Sequence, residues 1–131
     1  MKKDIEIPIS KDVQVALIHE WNEEFLSKDW NAYVLNNKDS PIEMVMVVSK
    51  GFDDERKTST MRHTIGVVAA KSFEKIEGVQ EDVLALNNEF FITYYADNKL
   101  YEKRFIFDSG SVTVDALKTI PLIEKGGIMA K

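Results

Sequence analysis

Glu89-Phe-Phe-Ile-Thr-Tyr-Tyr-Ala96, Asp97-Asn98, Lys99-Leu-Tyr-Glu-Lys-Arg-Phe-Ile-Phe107 spells a β-hairpin. Aromatic and β-branched residues crowd both arms, and Asp-Asn tolerates the left-handed dihedrals that a two-residue hairpin turn demands. The rest of the chain repeats this grammar of short apolar runs and polar turns. Several strands at such spacing predict an all-β domain rather than a helical or mixed one.

Working outward, Val13, Val15 and Leu17 alternate with Gln14 and Ala16, which favours a strand over a helix that Ile18 and Trp21 would also fit. Trp30, Ala32 and Val34 define one face of a further strand. Asn36-Asn-Lys-Asp-Ser-Pro41 is a dense turn signal, because Asn and Asp bond their own backbone and Pro41 fixes φ. With Ile42 to Ser49 beyond it, residues 29–50 read as a second hairpin with a longer loop. Met61, His63, Ile65 and Val67 share a strand face, and Phe73 to Glu77 adds a strand. Val79 to Asn88 suits either a helical turn or a corner strand. Ser111 to Val114 reads as extended, Asp115 as the cap of a helical turn stopped by Pro121, and Gly126-Gly127 as a loosening of the last residues.

At 131 residues, with no repeat or linker, the chain reads as one domain spanning 1–131. The expected fold is an antiparallel immunoglobulin/fibronectin-like β-sandwich of about seven strands with Greek-key connections. Trp30 resembles the core tryptophan on the third strand of such sandwiches. A chain of this size buries about two-thirds of its unfolded surface and needs neither metal nor disulfide to fold. It has no cysteine, which excludes a disulfide framework, a thiolate nucleophile and cysteine-based zinc. The start, Met1-Lys-Lys-Asp-Ile-Glu-Ile-Pro8, lacks the apolar run of a signal peptide, and Met44 to Val48 is far short of a membrane span. A cytoplasmic protein without a membrane partner is the expectation. A net charge of −5 disfavours duplex nucleic acid or anionic lipid as a general partner.

His19 and His63 are the only histidines. Ser59, Ser72 or Ser111 could be conscripted into a triad, yet no Gly-x-Ser-x-Gly elbow exists. A hydrogen-bonded structural role is expected for both, and no catalytic residue is assigned. Asp53-Asp54-Glu55 runs straight into Arg56-Lys57, which reads as a self-neutralising loop rather than a calcium site. No metal and no cofactor are expected. Lys50, Arg56, Lys57 and Arg62, with His63 beside them and Thr58, Ser59 and Thr60 among them, form the local basic cluster and the candidate binding residues. The net charge of residues 49–62 is nevertheless only +1. Phe90, Phe91, Tyr94, Tyr95, Tyr101, Phe105 and Phe107 invite comparison with sheets that stack RNA bases beside residues such as Lys103 and Arg104. The Gly-aromatic core of that module is missing, so these aromatics are expected to fill the core, with Tyr94, Tyr95 and Tyr101 largely covered.

Lys28-Asp-Trp-Asn-Ala-Tyr33, Ser49-Lys-Gly-Phe52, Lys57-Thr-Ser59, Met61-Arg-His63, Ala70-Lys-Ser-Phe73 and Ile120-Pro-Leu122 resemble a group of short uncharacterised bacterial proteins over nearly the whole chain. Relatives of that kind have carried the label phenylalanyl-tRNA synthetase subunit alpha. That subunit has a several-fold larger class II catalytic domain with arginines that grip ATP, and this chain has no counterpart for it. The resemblance implies a fold of this size and no mechanism. The expected function is a small non-enzymatic binding or protein–protein interaction module, its partner a protein or a second copy. The alternative is an accessory RNA- or nucleotide-binding protein using loop 50–62.

Overall fold

The computed structural model describes residues 12–131. Nine strands lie among them: β1 (Val13–Asn22), β2 (Ser27–Asn36), β3 (Ile42–Phe52), β4 (Met61–Val68), β5 (Ser72–Val79), β6 (Asn87–Ala96), β7 (Lys99–Phe107), β8 (Lys118–Ile120) and β9 (Lys125–Met129). They form two antiparallel sheets, ordered β5-β2-β1-β9-β8 and β4-β3-β6-β7. The first seven strands make the expected immunoglobulin/fibronectin-like sandwich. β8 and β9 extend the first sheet beyond β1.

The aromatic hairpin is β6 and β7, paired from Asn88–Phe107 to Ala96–Lys99. Asp97 and Asn98 both take positive φ, 54° and 64°, as a turn that matches strand twist requires. Its inward residues Phe90, Ile92, Tyr94, Phe105 and Phe107 pack across the gap on Val13, Val15, Leu17, Trp30, Ala32 and Val34 of β1 and β2. The alternation seen in β1 and β2 is therefore the core stripe. Trp30 is 4% exposed and stacks on His19, its cross-strand neighbour, with ring centroids 4.5 Å apart.

Residues 29–50 are not a hairpin. β2 pairs with β1 and β5, whereas β3 pairs with β4 and β6 in the opposite sheet. The apolar faces of β2 and β3 meet across the core instead of lying edge to edge, and residues 37–41 cross over the end of the sandwich. Asn36, fully buried, holds that crossing. Its Nδ2 donates to the carbonyls of Ser40, Val68 and Ala69 at 3.0–3.1 Å, and its Oδ1 accepts from Lys38 N. Trp30 consequently lies on the second strand, not the third.

Three local expectations are also corrected, and one left open is settled. The pairing of β3 with β4 shifts register between Ile42 and Met46, and Gly66 sits at φ 88°. Val67 therefore turns outward at 59% exposure while Val68 is buried. Thr113 is extended as expected and a helical turn follows it before Pro121, but Asp115 lies inside that 3-10 turn, Val114–Ala116, and Thr113 stands at its N-cap without a side-chain hydrogen bond. Residues 79–88 resolve into the end of β5, a 3-10 turn at Glu81–Ala85 and the start of β6. Gly126-Gly127 tightens the chain rather than loosening it: a Cβ on Gly127 would lie 2.5 Å from the Leu17 carbonyl, so only glycine lets β9 approach β1. Beyond it, Lys131 and Ile106 exchange backbone hydrogen bonds at the edge of β7.

The outer face of the five-stranded sheet carries a second, smaller core, in which Ala16, Ile18 and Leu35 are covered by Ile120 and Ile123. Truncating Trp30 to Ala empties a large site in the main core. It is expected to cost about 3–5 kcal/mol, measured by urea unfolding, as aromatic truncations in cores do.

Candidate functional site

β4 and β5 belong to different sheets and run beside one another along one side of the sandwich. Pairing of β5 with β2 shifts register between Ala32 and Tyr33, which leaves Ile76 as the extra residue and sets Glu77 opposite Ala32, a core-facing position. The Glu77 carboxylate therefore enters the gap between the sheets. There its Oε1 accepts from Ser49 Oγ at 2.7 Å and meets His63 Nε2 at 2.6 Å. Ser49, on β3, is 3% exposed. This cluster joins β3 and β4 to β5 and sits beside a cleft of about 460 Å³ lined by Met61, Val79, Val83, Phe90, Thr58 and Asn88, among others.

Serine, histidine and carboxylate thus meet, but in the wrong order for nucleophilic catalysis. In a relay the imidazole stands between hydroxyl and carboxylate. Here Ser49 donates to the same carboxylate oxygen that His63 contacts, so its proton is committed to Glu77. His63 is half-buried and hydrogen-bonded, as expected. His19, stacked on Trp30, shares its core edge.

The five basic candidates do not converge. Lys50 lies on the outer face of the four-stranded sheet, 3.9 Å from Glu89 and over the Phe52 ring. Arg62, opposite Val48, shares that outer face, whereas His63 faces inward to Glu77. Arg56 is spent on Asp53, whose Oδ2 accepts from its Nε and Nη2 at 3.0 and 2.8 Å. Backbone N–H groups of Glu55 and Arg56, together with that guanidinium, hold the Asp53 carboxyl below its ordinary value. The loop neutralises itself, as its composition suggests. Lys57 is exposed and bridges Phe52 through the backbone. Among the described residues, no group of His, Asp and Glu side chains is placed to hold a metal ion.

The aromatics divide by face. Phe90, Tyr94, Phe105 and Phe107 are core, and the half-buried Tyr101 stacks on Tyr94 at 5.2 Å. Tyr95 departs from expectation: it is 40% exposed. It belongs to an outward set on the four-stranded sheet with Met44, Met46 and Leu100, all exposed, and the half-buried Val48, Phe91 and Ile106. Cross-strand rows place Arg62, Val48, Phe91 and Arg104 side by side, and Met46 beside Thr93 and Glu102. No described segment covers this face, unlike the outer face of the other sheet. The Glu-Met-Val-Met-Val-Val run of β3 concealed it, because both of its faces are apolar and alternation cannot say which is buried.

A second polar cluster lies on the outer side of the five-stranded sheet. Glu20 accepts from Asn31 Nδ2, Tyr33 OH and Lys125 Nζ at 2.6–2.7 Å, fastening β9 to β1 and β2. Burial pulls the Glu20 carboxyl upward, but these bonds outweigh it and hold the group below its ordinary value. Burial, then the hydrogen bond and charge of Glu20, push the Tyr33 phenol upward.

Comparison of the chain with protein-family models, with curated proteins and with solved structures found no match. Among the described residues, no helix is long and apolar enough to cross a membrane.

Because Glu20 has a depressed pKa when folded, its stabilisation is present above the ordinary carboxylate value near 4.5 and is lost as pH falls through the folded value. Glu20→Gln should flatten that acid limb. Thermal melts of both proteins between pH 7 and 3 check it: the gap between them should be widest at neutral pH and narrow as pH falls.

Proposed function

We propose that this chain is a small, non-enzymatic cytoplasmic interaction module that docks a protein through the outer face of its four-stranded sheet. One observation carries the reading: Met44, Met46, Tyr95 and Leu100 stand 40–66% exposed on one continuous face. Contiguous exposed apolar surface of this kind marks interaction sites in soluble proteins, whereas single exposed residues need no explanation. Its borders carry both signs of charge, with Lys50, Arg62 and Arg104 toward one end and Glu43 and Glu102 toward the other. Such a rim orients a partner while the methionines adapt to its contours.

The RNA- or nucleotide-binding alternative draws less support. Lys50 and Arg104 are paired with Glu89, and Arg56 is paired with Asp53, which leaves Lys57 and Arg62, on a loop and an outer sheet face, as the cations of 50–62 without an ion pair among the described residues. The exposed face presents Tyr95 and part of Phe91, too few rings for a stacking platform.

A photo-crosslinking residue at position 46, compared with one at the exposed loop position Thr113, tests the reading in native cells. The expected result is a discrete protein adduct from position 46 alone, identified by mass spectrometry and lost when Tyr95 and Leu100 are changed to Glu. A doubled chain mass would make the partner a second copy. An adduct destroyed by ribonuclease, or equal labelling from both positions, would overturn the reading.

A further inference from the structure

We propose that the cleft between β4 and β5 is a binding site for a primary ammonium group on a short aliphatic chain, with Glu77 as its counter-ion. The site is separate from the docking face: Glu77, Ser49 and His63 point into the gap between the sheets, while Met44 and Met46 point away from it.

The chemistry of the lining selects the ligand. Glu77 Oε1 is occupied by Ser49 and His63, whereas Oε2 takes no donor among the described residues. Its side chain is 21% exposed, so the carboxylate is largely withdrawn from water, and an oxygen in that position gains from a charged donor. Three of the neighbouring donors are already committed. Ser49 Oγ is spent on Glu77, Thr58 Oγ1 accepts from Gly51 N and donates to Ser59 O, and Asn88 Nδ2 donates to the carbonyls of Val83 and Leu86. What these three residues and Glu77 retain is acceptors, Glu77 Oε2 and Asn88 Oδ1, while Ser59 and Gln80 on the same lining keep neutral hydroxyl and amide donors. A carboxylate oxygen on a lining whose cation is paired elsewhere recognises an ammonium and disfavours a carboxylate or phosphate. The one cation on the lining, Lys50, is drawn outward to Glu89.

Shape agrees with charge. A volume of about 460 Å³ admits a small ligand, and Met61, Val79, Val83 and Phe90 form an apolar wall on which a run of methylenes can lie. Glu77 fixes the charged end and the wall receives the chain. A lysine side chain of a protein and a free alkylamine share this chemistry.

Titration of the ¹⁵N-labelled 131-residue chain with n-butylammonium, Nα-acetyl-lysine N-methylamide, n-butanol and butyrate separates the cases. Both amines should give saturable amide shifts at Gly51, Gly78 and Asn88, with n-butanol at least tenfold weaker and butyrate silent. Tighter binding of the lysine derivative assigns the site to a protein lysine, and equal binding assigns it to a free amine. Glu77→Gln should weaken both amines at least tenfold. Should that variant fail to fold, Met61→Trp blocks the mouth from a half-exposed position and should abolish the shifts. Absence of saturable shifts with either amine, butyrate binding as well as the amines, or wild-type affinity in Met61→Trp would overturn the proposal.

Discussion

A single buried amide side chain sets where this chain changes sheets. Asn36 ends β2 with no exposure to solvent, and its Nδ2 reaches carbonyls in both connections that cross between the sheets at that end of the sandwich: Ser40 before β3, and Val68 and Ala69 before β5. A buried carbonyl without a donor costs more than a typical hydrogen bond contributes, so this group of carbonyls tolerates few other side chains. An aspartate would present acceptors to acceptors. A leucine would present nothing. Once β3 is sent to the opposite sheet and β5 returned beside β2, the positions of β6 and β7 follow, and the aromatic hairpin becomes half of the core.

Two faces of the molecule then acquire different fates. The outer side of the five-stranded sheet is covered by Ile120 and Ile123 and fastened by the Lys125–Glu20 bond, so its apolar residues serve stability. The outer side of the four-stranded sheet has comparable apolar content in Met44, Met46, Phe91 and Tyr95 but no described cover. Methionines left in water add no burial free energy to the fold. The proposed docking would give those residues a use. At the β4–β5 side, the same sheet crossing leaves a gap that a carboxylate, a histidine and a serine bridge, and that gap becomes the cleft.

Legibility in the sequence followed local chemistry. The β6–β7 hairpin was readable because turn and register are set within twenty residues, and Asp97 and Asn98 adopt the positive φ their side chains tolerate. The core stripe Trp30-Ala32-Val34 was readable from period-two alternation. Residues 29–50 are ambiguous in sequence for a physical reason: a polar five-residue connection ending in Pro41 suits a hairpin and a sheet crossing equally, and the deciding bonds of Asn36 reach some thirty residues along the chain. Gly127 is opaque in sequence for the same reason, since its need for space comes from Leu17. The basic residues at 50–62 looked like one site in sequence, but strand alternation sends Arg62 and His63 to opposite faces. Glu77 gave no local sign, because its inward turn depends on a bulge against β2.

The crossing claim is tested most directly by the unfolding free energy of Asn36→Ala, measured by urea titration against the parent chain. Three carbonyls lose their shared donor and Lys38 N loses its acceptor, so a loss of about 2–4 kcal/mol is predicted. A change within about 0.5 kcal/mol, the range of an ordinary surface substitution, would contradict the view that this side chain decides where the chain crosses between the sheets.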